Sequence, residues 1–220
     1  MSEITRRGFL GAAAGSAAMA ALKPSALFAA EKTGQLPPPS SDTAQSLMFA
    51  LQNRSSSRSF SPKPLPPQML SDLLWAAFGI NRSDNGKRTA PSAINQQEID
   101  IYVATADGFF LYDAKPHQLN QIMAEDIRSF CGTQGFVAGA PVNLVYIADF
   151  ARMGSMSAED KILYSATDTG FISQNVYLFC AANGLATVVR GSVNKPALAK
   201  KINLRKDQQI ILAQTVGYPG

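Results

Sequence analysis

Two arginines four positions apart sit in a run of hydroxyls, Asn53-Arg54-Ser55-Ser56-Ser57-Arg58-Ser59-Phe60. Guanidinium forks with serine hydroxyls and backbone N–H groups between them suit a phosphate. A solvated arginine–serine loop gives the same pattern. A second stretch, Pro91-Ser92-Ala93-Ile94-Asn95-Gln96-Gln97, offers hydroxyl and amide groups, foremost Ser92, Asn95 and Gln97. Such groups can hydrogen-bond the polar edge of a flat heterocycle without adding charge, and an ordinary turn reads alike. A third stretch, 184–191, ends in Arg190-Gly191. Its last glycine either lets the backbone approach a ligand closely or simply ends a strand. Tyr164 and Asp168 are four apart, so a helix puts them on one face. Asp168, in apolar surroundings, is either an acid near a site or a partner in a structural hydrogen bond.

Several chemistries are excluded by count. His117 is the single histidine, so no multi-histidine metal site exists, and a Ser-His-Asp triad has only that residue to draw on. Following Lys115-Pro116, it reads as a surface residue near a helix start. The two cysteines, Cys131 and Cys180, form no CxxC pair, which excludes zinc ribbons, iron–sulfur clusters and thioredoxin-type motifs. Whether they pair with each other is open, although Cys180 in the apolar run 176–182 reads as core. The net charge is +4, half of it from Arg6, Arg7 and Lys23 against Glu3. That bias is too weak to argue for nucleic acid.

The positioning elements follow from periodicity. With 46% hydrophobic and 16% charged residues over 220 positions, the chain can bury a core as one domain plus a tail. Ala44, Leu47, Met48 and Leu51 give a first helix that stops before Arg54. Pro66-Pro67 opens a second, ended by Gly79. A polar loop covers 81–90. Ile99, Ile101 and Val103 alternate as a half-buried strand, and Asp107-Gly108 turns it into a hairpin through 109–112. A short apolar run at 142–148 suits a central strand. Ser157 with Asp160 resembles a capping box and opens a long apolar helix over about 158–182, closed by Asn183-Gly184. A short strand at 185–189, a basic helix at about 195–202 and a last strand at 209–216 complete the domain. Helices and strands mix without regular alternation, which predicts an α+β fold. Trp75 reads as core or interface.

The N-terminus reads as an address. Thr5-Arg6-Arg7-Gly8-Phe9-Leu10 is a twin-arginine signature, followed by an Ala/Gly-rich run and Lys23-Pro24. The order is that of an export signal over 1–30. The alternative, a membrane anchor, suits this short alanine-dominated run poorly, so no stable membrane span is expected. Ala29 and Ala30 are candidate cleavage positions, although Leu27 and Phe28 at the −3 positions fit the small-residue rule badly. Residues 31–43 are Pro/Ser-rich and read as a linker, leaving 44–220 as the domain. Passage through the twin-arginine translocase in the folded state favours a cofactor protein outside the cytoplasm, periplasmic or otherwise extracytoplasmic.

Taken together, these segments resemble the nitroreductase-like FMN-dependent oxidoreductases. RSSSRSF at 54–60 is similar to that family's phosphate-gripping Arg-x-Ser-x-Arg-x-Phe, and PSAINQQ at 91–97 to its Pro-Ser-x-x-Asn-x-Gln turn. Residues 168–191 resemble its central helix, Gly-Leu turn and flavin-contacting strand, and VGYP at 216–219 its last strand. LLWAAFGINR at 73–82, with Gln174-Asn175, resembles most closely the SagB-type (azoline dehydrogenase) branch. The adjacent Lys-Tyr pair of that branch has no counterpart; Lys161 and Tyr164 lie three apart instead. A basic pair that longer relatives carry after the last strand is also missing before Gly220, which shifts the phosphate onto Arg54 and Arg58.

The resemblance implies a three-layer α+β fold, a mixed central sheet flanked by helices, in a homodimer with two FMN sites. It implies that hydride passes through flavin N5 between a donor and a small organic substrate. Arg54, Ser55, Ser56 and Arg58 would bind the phosphate and ribityl end. Ser92, Asn95 and Gln97 would reach the cofactor from the partner subunit, and Arg190 and Gly191 would lie near N5. Arg190 there would raise the flavin potential. Arg190 and Tyr164 are the candidates for a catalytic role. NADH or NADPH as donor is left open, because both are expected to be scarce outside the cytoplasm. The competing function is a non-catalytic flavin-binding or interaction module that keeps the fold.

Overall fold

A computed structural model describes residues 33–40 and 45–220; the expected export signal at 1–30 lies outside them. Seven strands form one sheet in the order β1-β6-β5-β4-β7-β9-β8. They are β1 (Thr33–Gln35), β4 (Ile99–Thr105), β5 (Gly108–Asp113), β6 (Gln118–Met123), β7 (Val142–Asp149), β8 (Ala186–Arg190) and β9 (Gln208–Gly217). A two-stranded ribbon, β2 (Ile80–Arg82) with β3 (Lys87–Arg88), stands apart. The α+β class is the expected one, but the sheet is antiparallel at every pairing rather than mixed. The reason is connectivity. Hairpins join β4, β5 and β6, and helical connections return β8 and β9 antiparallel to each other, so no right-handed parallel crossover is built.

Between the middle strand β4 and β9 runs β7, whose eight residues are all buried. Its side chains alternate between two cores. Val142, Leu144, Tyr146 and Ala148 join the larger cluster, and Val145 and Ile147 the smaller. Two helices serve the larger core, α2 (Pro67–Phe78) and α3 (Ala158–Ala182), and α1 (Leu47–Asn53) packs with α2 on α3. Ile127, Val137 and Leu198 of α4 (Lys195–Lys201) close the smaller one. The result is three layers.

Local chemistry sets the helix ends. The Ser46 hydroxyl accepts from the Phe49 amide at 3.1 Å and starts α1. Ser157 does the same for Asp160 at 3.0 Å and starts α3. The far end of α3 closes where Gly184 takes φ +65° and the Leu185 amide returns to the Cys180 carbonyl at 2.9 Å, an αL termination.

Several expectations are corrected. The described part of the expected linker contains β1, paired with β6, and Leu36 is buried in the core. Ser71 Oγ holds it by donating to the Pro37 carbonyl at 2.5 Å. β6 was not expected at all, since its residues are mostly polar and only Leu119 is fully buried. His117 therefore precedes a strand rather than a helix, its ring bonded to Ser71 Oγ at 2.7 Å and Tyr112 OH at 2.9 Å. The polar loop 81–90 folds into the β2–β3 ribbon. Cys131 and Cys180 are both free and buried, in different cores. Burial pushes both thiols up, Cys131 to about 12.

Candidate functional site

Arg54 opens the segment that leaves α1, and the middle of α3 receives it. Tyr177, buried on α3, bonds through its hydroxyl to Ser56 Oγ at 2.8 Å and accepts from the Val189 amide of β8 at 3.0 Å. The Arg54 guanidinium lies over the Tyr177 ring, 5.2 Å from its centroid. The Ser57 amide donates to the Thr187 carbonyl at 3.0 Å, and Phe60 bridges Pro219 at the end of the chain. The loop is thus fixed against β8 and α3 while Ser55, Ser56 and Arg58 stay exposed. Among the described residues neither Arg54 nor Arg58 has a carboxylate partner. Two guanidiniums without an acid, one held over a tyrosine ring and one exposed, beside hydroxyls on a fixed loop, fit a phosphate group.

Beyond the loop, β8 ends at Gly191, which is exposed. A Cβ built there meets nothing nearer than Leu212 Cδ2 at 3.9 Å, so its side is open. Arg190 is a correction. Its guanidinium does not face that opening; the residue is only 7% exposed. Nε and Nη2 donate to Thr215 Oγ1 at 3.1 and 2.8 Å, Nη2 also donates to Asn143 Oδ1 at 2.7 Å, and Nη1 donates to the Cys131 carbonyl. Burial lowers its pKa to about 10. With its donors committed to the interior, it is a structural residue of the β7–β9–β8 region. The expectation that it tunes a flavin potential has no geometric basis in this conformation.

The turn at 91–97 sits elsewhere on α3. Asp168 Oδ2 accepts from the Ala93 amide at 2.8 Å. Asp168 and Tyr177 are nine residues apart on one helix, about 14 Å at the α-helical rise. Within one protomer, the turn and the arginine loop therefore stand at separate stations on α3. Three residues of the turn have left-handed backbone, Ile94 at φ 42°, Asn95 at 59° and Gln97 at 50°. For a β-branched residue this is strain, about 1–3 kcal/mol per position. Strong bonds compensate. The Gln97 amide donates to Ser92 Oγ at 3.0 Å, Arg88 Nε donates to Gln97 Oε1 at 2.8 Å, and Arg152 Nη1 donates to the Gln97 carbonyl at 2.8 Å. Gln97 Nε2 is spent on Gly86 O and Asn95 Oδ1. Gln97 therefore shapes the turn, while the Ser92 hydroxyl proton and the side-chain N–H groups of Asn95 are not committed among the described residues; the Asn95 backbone N–H donates to the Ser92 carbonyl at 3.0 Å.

Sequence reasoning missed Tyr177 and Glu98. Glu98 directly follows the turn and is fully buried. Neither carboxyl oxygen receives a hydrogen bond from a protein donor. The groups facing it are the Asp168 carboxyl and the Ser165 hydroxyl, and that hydroxyl points to Met153 Sδ at 3.4 Å. Burial and the neighbouring acid raise Glu98 to about 7, and burial raises Asp168. An acid directly before an alternating strand was the available signal. Tyr164 lies one turn from Asp168 and is 38% exposed. α3 also exposes Ile162, Leu163 and Phe171, the turn exposes Ile94, and α1 exposes Leu47, Met48 and Leu51. Among the described residues no three His, Cys, Asp or Glu side chains group to hold a metal ion, and no helix is long and apolar enough to cross a membrane.

Fold and site together define a three-layer α+β protein with a phosphate-competent loop at the end of an antiparallel sheet. The chain belongs to the nitroreductase family, whose model matches residues 51–218. A protein of Methanocaldococcus jannaschii with a provisional nitroreductase name is 30% identical over 152 residues, 64% of this chain and 76% of that one. A crystal structure from Ralstonia eutropha, also provisionally named a nitroreductase, is 43% identical, with a TM-score of 0.83 over 86% of this chain and 90% of the other. The NADPH:FMN oxidoreductase of Vibrio harveyi, solved with NAD+, shares the fold at 18% identity, with a TM-score of 0.59 over 79% and 68%. These relatives support an oxidoreductase function.

Proposed function

We propose that this chain is an FMN-dependent oxidoreductase that moves two electrons, as hydride, between a donor and a small organic substrate. The observation that carries this reading is the loop bearing Arg54 and Arg58, fixed against Tyr177 and β8 and without acidic partners among the described residues, together with the open side of Gly191 just past the end of β8. When bound, FMN supplies the hydride-transfer chemistry. The chain's residues bind and orient it. Arg54, Arg58 and the hydroxyls of Ser55 and Ser56 hold the phosphate and ribityl end. Gly191 leaves room for the flat ring. Ser92 and Asn95 supply hydrogen bonds from a second subunit, with Gln97 setting the backbone that presents them.

The second subunit belongs to the proposal. The separate stations of turn and loop on α3, and the exposed apolar side chains of α1, α3 and Ile94, support a homodimer in which each site draws on both chains. The resemblance of residues 73–82 to SagB-type enzymes supports a position near that branch, but without its adjacent Lys-Tyr pair a small molecule rather than a peptide azoline is the expected substrate. The twin-arginine signature supports export with FMN already bound. A donor other than NADH or NADPH is expected at that location.

The test is FMN titration of the full chain, read by quenching of flavin fluorescence, with sedimentation of the loaded protein. Binding of one FMN per chain in a dimer is expected. A chain that takes up no FMN, or a stable flavin-loaded monomer, overturns the reading. Stopped-flow reduction with a donor series then separates the enzyme from a flavin-binding module, which no donor would reduce productively. Changing Arg6 and Arg7 together to Lys should keep the protein in the cytoplasm, as seen by fractionation.

A further inference from the structure

Asp168 holds the start of the strained turn through the Ala93 amide, and Glu98 is the first residue after its end. Both carboxyls are buried, at 2% and 0% exposure, and they face each other. Glu98 has no hydrogen-bond donor from the protein on either oxygen. Two carboxylates cannot share a dry space as two negative charges, whereas one proton between them makes a strong hydrogen bond. We propose that Glu98 and Asp168 share a single proton that staples the 92–97 turn closed across its base, and that loss of this proton releases the turn from α3. The pair is a positioning device for Ser92 and Asn95; its consequence for flavin rests on the FMN reading above.

The surrounding charges do not replace that proton. From β3, Arg88 is engaged by Gln97 Oε1 and the Phe78 carbonyl. Past β7, Arg152 is engaged by the Gln97 carbonyl, Asp100 and Asp149. The Asp149 amide donates to the Glu98 carbonyl, not to its carboxyl. The charge facing Glu98 from α3 is Asp168 itself. With the proton gone, repulsion acts between a rigid 25-residue helix and a turn already carrying three left-handed residues. The turn is the part that yields.

The sign follows from the direction of the shifts. Both acids are raised in the folded protein, Glu98 to about 7. Their contribution is whole below the ordinary carboxylate range and is lost as pH rises through about 7. The two protons belong to the pair rather than to either residue.

The experiment uses the full chain without FMN first. Melting temperature is followed from about pH 6 to about pH 8.5, spanning the raised value, alongside carboxyl carbon resonances in the wild type. A fall in melting temperature with rising pH, and one carboxyl titrating near neutrality, are expected. Glu98→Gln supplies a permanent donor to Asp168, and Asp168→Asn supplies one to Glu98 while keeping an acceptor for Ala93. Either amide should flatten the dependence, which a merely space-filling role would not predict. Parallel curves for wild type and both variants, or no carboxyl titrating near neutrality, overturn the proposal. With FMN added, wild-type affinity should weaken about tenfold per pH unit above the transition, and Glu98→Gln should hold it constant. A chain that binds no FMN but keeps the apo pH dependence sinks the flavin reading and leaves the shared proton standing.

Discussion

Arg54 and Arg58 carry the same group as Arg190 into opposite surroundings. On the loop after α1 the backbone is fixed by neighbouring bonds, Arg54 lies over the Tyr177 ring and Arg58 is exposed, and neither has a carboxylate partner among the described residues. At the end of β8, three neutral acceptors from β7, β9 and the Cys131 segment use up the guanidinium. In sequence both read as arginine beside small residues near a glycine or serine turn. Availability of donors, rather than residue type or proximity to a motif, decides whether an arginine can serve a ligand. Arg190 ties strands together; the loop arginines keep donors that the protein itself does not use among the described residues.

The comparison breaks most readily at Arg190. Arg190→Ala strips Thr215 Oγ1 and the Cys131 carbonyl of this donor and leaves Asn143 Oδ1 with the Thr215 hydroxyl alone, and should cost about 3–5 kcal/mol in urea unfolding. The fraction that folds should still hold FMN, if the loop arginines are the cofactor's contacts. Arg190→Lys should recover little of the stability, because one ammonium does not reproduce the planar fork. Gly132 sharpens the same side. A Cβ on Gly132 collides with the Arg190 guanidinium, so Gly132→Ala should destabilise by about 1–3 kcal/mol through overpacking. A neutral result would mean that the guanidinium lies elsewhere.

The loop should answer in the opposite manner. Arg58→Ala should weaken FMN binding roughly ten- to hundredfold, the loss of about 1.5–3 kcal/mol of charge-assisted contact. Its unfolding midpoint without FMN should stay within about 0.5 kcal/mol of wild type. Unchanged affinity would remove Arg58 from the site. The smallest effect is expected at the anchor. Tyr177→Phe loses the bonds to Ser56 Oγ and the Val189 amide, about 1 kcal/mol of stability, with a modest loss of FMN affinity as the loop loosens.

Most of the scaffold was readable from periodicity. α2 and α3 run where their proline, capping serine and terminal glycine placed them, because those signals are local and act within one or two turns. The hairpin of β4 and β5 and the central β7 followed from alternation and from an unbroken apolar run. β1 and β6 escaped for a common reason. An edge strand and its neighbour need little apolar surface, and their hydrogen bonds come from residues far along the chain. Polar residues such as Gln118 and Asn120 give no sign of that pairing.

What the sequence determined by itself is the set of parts: two arginines in a hydroxyl loop, a polar turn at 91–97, a long helix with Tyr164 and Asp168 on one face, and a twin-arginine signature near the N-terminus. Those are properties of type and spacing. Tertiary structure alone decided their use. It turned Arg190 inward, sent Gln97 to shape its own turn, and set Glu98 against Asp168 across seventy positions of chain. The physical reason is that desolvation and hydrogen-bond satisfaction depend on what lies opposite a group in space, and neither quantity is written in the residue itself.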